Sequence, residues 1–285
     1  MTISLVNGLF IGVIYGLFAV GIVLVYRSDR VINFAHGNLG MVGTFFYAKL
    51  WNDSGWPMAA ALAVGVAASI LLAIATERIV ARPLRGHRPE IATLATFGIS
   101  TLLFVWASRR WGTRPILNRP FVTGTAFEIG GVRIQYLQLI TVAVALTILT
   151  LLLITLHRTS FGLRVRASAL NTVAAAQAGV RTERVSLAVW ALAGAIAAAA
   201  GILVSARGVL DTQFMNAFML RGLAVAIVGG LTNIGGCFAA GIAIGLAEGY
   251  IGYQFSAPGS QEAILALFVV VMLVVRPTGL IKAEY

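Results

Sequence analysis

The chain has 285 residues, of which 59% are hydrophobic and only 11% charged, and its net charge is +11. Soluble domains carry about 25% charged residues, so this composition cannot cover a water-facing globule and places the chain in a membrane. Of the 21 basic residues only Lys49 and Lys282 are lysines. No basic run with interleaved aromatics occurs, which speaks against a nucleic-acid partner; the positive-inside rule accounts for the excess of arginine instead.

A spanning helix needs about 20 apolar residues. Taken in order, the uncharged runs are Leu5–Tyr26, Val31–Ala48, Met58–Thr76, Ile91–Ser108, Ile134–Leu156 and Val185–Ala206. Gly222–Ala247 follows, longer than one untilted span and studded with glycine, and a last run lies near Ser260–Val275. The first basic residue, Arg27, comes after the first run, so that run reads as a span and not as a cleavable leader. This puts the N-terminus outside and the Arg27–Arg30 end in the cytoplasm. Alternation then places Arg78–Arg88 and Arg158–Arg184 inside as well. The chain is therefore expected to be all-α, a polytopic helical membrane protein of about eight or nine transmembrane or broken helices. The count turns on whether Gly222–Ala247 dips in and returns or splits into two helices. Residues 1–285 form one transmembrane domain. Within it, 157–185 is a cytoplasmic segment, and 111–133, with Pro115, Pro120 and "IGGVR", is an extracytoplasmic turn or hairpin.

Glycine spacing adds detail. Gly8, Gly12 and Gly16 recur every fourth residue, and Gly241, Gly245 and Gly249 repeat the pattern near the end. Such spacing puts the glycines on one helix face, where backbones approach closely, and reads first as helix packing. Cys237, the single cysteine, lies in an apolar glycine-rich run and reads as a small packing residue.

Two stretches are too polar for their surroundings. In "VINFAHGNLG", Val31–Gly40, the side chains of Asn33, His36 and Asn38 sit beside Gly37 and Gly40. Non-helical backbone at membrane depth is tolerated only against protein or a water-filled cavity. A broken helix lining a solute path fits these residues, and so does a helix start capped by Asn33; a capped start at the inner mouth of a path satisfies both. Gly229, Gly230, Gly235 and Gly236 form the second candidate break. The other polar stretch is His157–Val185. Ala167–Ala178 is a strong helix former, Gly179 stops it, and a short helix–turn–helix results. Alanine methyls beside a basic rim suit a groove on a soluble partner; the alternative is an amphipathic helix lying on the lipid surface.

Catalytic chemistry is absent from the pattern. There is no P-loop, HExxH or GxSxG motif and no Cys/His metal spacing, so no catalytic, metal or cofactor residues are expected, and ATP would have to be hydrolysed on another chain. Intramembrane ionisable groups are scarce too, Glu248 being the one plausible carboxylate, which argues against a proton-driven pump.

The blocks "NGLFIGVIYGLFAVGIVLVY", "VINFAHGNLGMVG", "GLRVRASALNTVAAAQAGV", "AVWALAGAIAAAAGIL", "AIVGGLTNIGGCFAAG" and "RPTGL", in this order, closely resemble the permease subunits of branched-chain amino acid ABC importers. The resemblance implies a second related permease, two cytoplasmic ATPases and an extracytoplasmic binding protein, all at a bacterial inner membrane. It implies that Ala174, Ala175, Ala176, Gln177 and Gly179 form the ATPase-coupling segment, flanked by Arg164, Arg166, Arg181 and Arg184. The leading glutamate of the Glu-Ala-Ala loop common to ABC permeases is missing here. Related permeases also carry other amino acids, urea or short amides. A passive small-solute channel, a sodium-coupled transporter and, at the margin, an intramembrane enzyme using His36 as base are the rival readings.

Overall fold

The computed structural model describes residues 1–129, 131–254, 263–264 and 267. The run near Ser260–Val275 and the closing "RPTGL" lie outside the described residues. Ten α-helices appear among the described residues: α1 (Thr2–Asp29), α2 (His36–Asn52), α3 (Met58–Thr76), α4 (Pro89–Trp111), α5 (Tyr136–Arg158), α6 (Ser160–Leu170), α7 (Thr172–Gln177), α8 (Thr182–Ser205), α9 (Phe214–Gly229) and α10 (Ile234–Gln254). A π-helical turn, Glu77–Ala81, extends α3. Six of these helices are long and apolar enough to cross a membrane: α1, α3 with its π-turn, α4, α5, α8 and α10. The chain is thus a helical polytopic membrane protein. Its helix starts follow local rules. Pro57 precedes α3, and Pro89 opens α4 behind an extended Arg88, where the missing N–H is harmless and the fixed φ suits a first turn.

The helices fall into two compact units. One comprises Leu24–Phe121 and Ile148–Met219. At its centre α2, α3 and α8 pack on one another through small residues. In lipid there is no hydrophobic drive between helices, so close backbone approach and dispersion must hold them. A Cβ on Gly40 would meet the Ala197 carbonyl at 2.5 Å, and one on Gly194 would meet Ala73 Cβ and the Ser69 carbonyl at 2.8 Å. Ser69 Oγ donates to the Leu39 carbonyl at 2.6 Å, which fixes α3 against α2. Away from this centre, α3 and α4 expose Leu71, Leu94 and Leu102, as lipid-facing surfaces do. The short strands β1 (Ile116–Leu117) and β4 (Val209–Leu210) pair antiparallel in this unit. Asn118 clamps the pair by donating to the carbonyl and hydroxyl of Ser205 at 3.1 and 3.0 Å.

The other unit comprises Met1–Val23, Val122–Thr147 and the described chain from Leu220. It also holds a hairpin of β2 (Thr125–Ile129) and β3 (Val132–Gln135), which overlaps the stretch 111–133 and runs two residues beyond it. Here α1 and α10 lie backbone to backbone. A Cβ on Gly12 would meet the Gly241 carbonyl at 2.7 Å, and one on Gly16 the Phe238 carbonyl at 2.8 Å. The two glycine triplets found in the sequence are each other's partners.

Two expectations about boundaries change, and the alternative left open for Gly222–Ala247 is decided. The second run does not begin a helix at Val31: residues 30–35 are non-helical, and α2 starts at His36 and has 17 residues. Gly222–Ala247 is two helices, α9 and α10, separated by residues 230–233. Ala167–Ala178 is broken at Asn171, where α6 ends and α7 begins.

Candidate translocation and coupling sites

The backbone between α1 and α2 leaves the helix at Arg30, whose φ is 59°, and must find hydrogen-bond partners without a helix of its own. α4 supplies them. Thr93 Oγ1 accepts from the Ile32 N–H at 3.2 Å and Thr96 Oγ1 from the Phe34 N–H at 3.0 Å. Asn33 Oδ1 accepts from the Ala35 N–H at 3.0 Å, an Asx turn. Asn33 therefore shapes the approach to α2, while the helix's own N-cap, Ala35, carries no side-chain bond. Asn38 reaches α4 as well, donating from Nδ2 to the carbonyl and the hydroxyl of Ser100, both at 2.8 Å. Thr93, Thr96 and Ser100 share one face of α4 by their spacing. This polar stripe on a lipid-embedded helix is the counterpart that sequence reading missed, although the i, i+3, i+7 pattern carries its signal.

Asn33, His36 and Asn38 are thus brought together, all buried. Gly37 sits under the Met215 carbonyl, which a Cβ would meet at 3.1 Å. Asn33 Nδ2 and Asn38 Oδ1 are buried without a hydrogen-bond partner among the described residues. Replacing Asn38 by alanine removes both bonds to Ser100 and is expected to destabilise the protein by about 1–3 kcal/mol, read as a lower melting temperature of the detergent-purified chain.

The glycine break Gly229–Gly236 lies in the other unit. α9 ends at Gly229, and Gly230 takes φ 94°, a left-handed conformation that a glycine adopts without a Cβ penalty. Asn233 Oδ1 accepts from the Gly236 N–H at 2.8 Å, capping α10 in the ordinary N-terminal manner. A Cβ on Gly229 would strike the Cys237 backbone, whereas one on Gly235 would meet only Asn233 Oδ1 at 3.7 Å. Gly229 is a packing glycine; Gly235 is not constrained by its neighbours.

The same unit holds a charge pair that the sequence did not disclose. Arg221 Nε donates to Glu248 Oε1 at 2.8 Å, and Tyr15 Oη donates to Glu248 Oε2 at 2.8 Å. Arg221 is a mid-helix residue of α9 and largely buried. Its charge is compensated by the one intramembrane carboxylate singled out beforehand, as charges in lipid must be.

Residues 157–185 hold a pair of short helices, α6 and α7. Thr159 Oγ1 accepts from the Gly162 N–H at 3.2 Å and starts α6. Asn171 Oδ1 accepts from the Ala174 N–H at 2.9 Å and starts α7; its side chain outcompetes the helical continuation that alanine propensity favours. α7 closes with a Schellman motif: the Gly179 N–H bonds the Ala176 carbonyl and the Val180 N–H the Ala175 carbonyl, both at 3.0 Å, with Gly179 at φ 83°. Ala175 is turned inward, while Ala174, Ala176, Gln177 and Gly179 are exposed. Arg164, Arg181 and Arg184 are exposed around them, and Arg166 is half-buried. Leu163, Leu170 and Val173 are exposed too. These large apolar side chains stand at the edges of the alanine face.

Comparison with known proteins adds an independent line. The family described as "Branched-chain amino acid transport system / permease component" matches residues 4–276. LivH of Escherichia coli, a high-affinity branched-chain amino acid transport system permease protein, is 29% identical over 96% of this chain and 93% of its own length. BraD of Pseudomonas aeruginosa, of the same description, is 28% identical over 98% and 94%. A probable branched-chain amino acid transport permease protein LivH of Methanocaldococcus jannaschii is 26% identical over 94% and 89%.

Proposed function

The chain belongs to the family of branched-chain amino acid transport permease components, and from that premise we propose that it forms the membrane path for branched-chain amino acids in an importer of two permeases, two cytoplasmic ATPases and an extracytoplasmic binding protein. It is a permease subunit of an ABC importer, a multi-pass protein of the inner membrane and not an enzyme. ATPase and binding-protein partners go with the family as a whole. The relatives' branched-chain amino acid descriptions support the solute.

The observation that carries the reading is the coupling segment. α6 and α7 pack on α8 yet leave Val173, Leu170 and a capped run of alanines exposed beside arginines. A small apolar knob with a basic rim suits a groove on a soluble subunit. It suits a lipid surface less, because an interfacial helix needs a continuous face of large apolar residues. The segment then faces the cytoplasm and α1 starts outside. Asn33, His36 and Asn38, with Gly37 beside them, are assigned to the path at its inner end, and Gly229, Gly230, Gly235 and Gly236 to a second stretch of it.

Two measurements test this. Affinity purification of the tagged chain, co-expressed with its genomic neighbours, should bring down a related permease and two P-loop subunits; recovery of the chain alone, with ATP-independent solute flux in liposomes, would establish the channel reading instead. In the assembled importer, His36→Ala is expected to lower initial leucine uptake about fivefold, the change that roughly 1 kcal/mol at the rate-limiting step produces. Unchanged uptake would remove His36 from the path.

A further inference from the structure

The π-helical turn Glu77–Ala81 places a carboxylate where none is expected. Glu77 is 0% exposed. Both its oxygens are engaged: Arg85 Nη2 reaches Oε1 at 2.6 Å, and Arg82 Nη2 reaches Oε2 at 3.2 Å. The two arginines lead in different directions. Arg85 Nη2 lies 3.9 Å from Oδ1 of Asp29, the last residue of α1. Asp29 Oδ2 in turn accepts from Ser186 Oγ at 2.6 Å and from Trp190 Nε1 at 2.7 Å. Arg82 Nη1 donates to Glu183 Oε2 at 3.1 Å. Glu183, Ser186 and Trp190 all belong to the first half of α8. The bonds therefore close a ring: from Glu77 through Arg82 to the start of α8, along α8 to Trp190, and back through Asp29 and Arg85. An apolar plug of Val25, Ala81, Trp190 and Ala193 lies among the same three elements, so the ring and the plug bind the end of α1, the π-turn after α3 and the start of α8 into one body.

The position of this body matters because α8 is the direct continuation of the coupling segment. Val180 and Arg181 alone separate the Gly179 cap from Thr182, and both α6 and α7 touch α8. A displacement of α7 must pass into the first turns of α8, and the ring is what ties those turns to α1 and α3. Single-turn π-bulges inserted in α-helices recur at functional sites, and a bistable, tightly packed element is what converts a small local shift into a larger one. Positive-inside counting alone explains neither the full burial of Glu77 nor the indole bond to Asp29.

We propose that the Glu77–Arg85–Asp29–Trp190 ring is the joint that passes movement of the coupling segment into the transmembrane helices, with Glu77 and Asp29 as positioning residues for transport. The proposal rests on the importer reading above. It assigns these residues a role in linking ATP hydrolysis to solute movement; they need not touch solute or nucleotide.

The test uses the complete importer with its binding protein in proteoliposomes, with leucine uptake and ATP hydrolysis measured in the same vesicles. Wild type must first show ATP-driven leucine uptake; its absence would defeat the importer reading itself, separately from the joint. Glu77→Gln keeps shape and removes charge, and Trp190→Phe keeps an aromatic plug and removes only the indole donor. Both are expected to retain hydrolysis while leucine moved per ATP falls about tenfold for Glu77→Gln, within the range of ordinary site-to-site coupling, with a smaller fall for Trp190→Phe. Glu77→Asp should recover part of the ratio. A purely structural network predicts the opposite pattern: less assembled complex, but an unchanged ratio in what assembles. That result in either variant overturns the proposal. If Glu77→Gln does not assemble, Trp190→Phe decides alone by the same ratio.

Discussion

Replacing Gly245 with valine is expected to remove the folded protein almost entirely, with material lost to aggregation or degradation before it can be purified. The reason is geometric. A Cβ at 245 would land on the Cα of Gly12 and on the Gly8 carbonyl oxygen. Both are backbone atoms, so no side chain can swing aside, and α1 and α10 would have to part along the whole triplet. Overpacking a core typically costs about 1–3 kcal/mol because rotamers relax. Here relaxation means surrendering the contacts of Gly8, Gly12 and Gly16 together, and a loss of about 4–5 kcal/mol is expected, at the exceptional end for one substitution. That is comparable with the whole net stability of many domains, about 5–15 kcal/mol. Fluorescence-detected size exclusion of a fusion protein measures it directly. Gly98→Ala is the control, since nothing lies within 4 Å of a Cβ at that position, and removing a mid-helix glycine should leave the profile intact or slightly sharper. A Gly245→Val protein that elutes like wild type would mean that α1 and α10 do not meet through these residues.

The same glycines show what a sequence can and cannot tell. A four-residue period encodes a helix face, so the existence of two close-approach surfaces was legible in the sequence; that they face each other was not, because periodicity carries no partner. The polar clusters fail in a related way. Glu248 stands out in an apolar run, but Arg221 is 27 positions away and reads as a topological charge until folding brings it to 2.8 Å. The stripe Thr93, Thr96, Ser100 was visible as a pattern, yet hydroxyls in membrane helices commonly bond their own backbone, as Thr101 does to the Phe97 carbonyl, so the pattern alone did not announce a partner. Ala167–Ala178 departs from its helix propensity for a local reason. Summed alanine propensity is worth tenths of a kcal/mol per residue, and one Asn171 side chain bonded at the right place outweighs it. The cap at Gly179, by contrast, followed from residue type, because the left-handed position after a helix belongs mostly to glycine.

Changing Val173 to aspartate is expected to leave the transmembrane helices folded and to abolish ATP-dependent transport by detaching the ATPases. Val173 is 68% exposed and sits in the first turn of α7, so nothing in the isolated chain depends on its side chain and the melting temperature should be unchanged. In the assembled importer the same side chain is proposed to enter a groove. Losing a buried valine forfeits about 1.5–3 kcal/mol, and placing an unpaired carboxylate in its stead adds a desolvation penalty of a few kcal/mol more. Each 1.4 kcal/mol is about tenfold in affinity, so the ATPases should be lost from a pull-down under conditions that retain them on wild type. Val173→Ala, which deletes the contact and buries no charge, should bind weakly but detectably. This ordering, with alanine intermediate and aspartate null, separates a groove from a surface attraction by the surrounding arginines. An acidic partner surface held only by Arg164, Arg181 and Arg184 would tolerate alanine fully, lose little with aspartate, and release the ATPases as salt is raised. If Val173→Asp co-purifies with its ATPases at wild-type yield, α7 is not seated in them, and the contact must lie on the arginine rim alone.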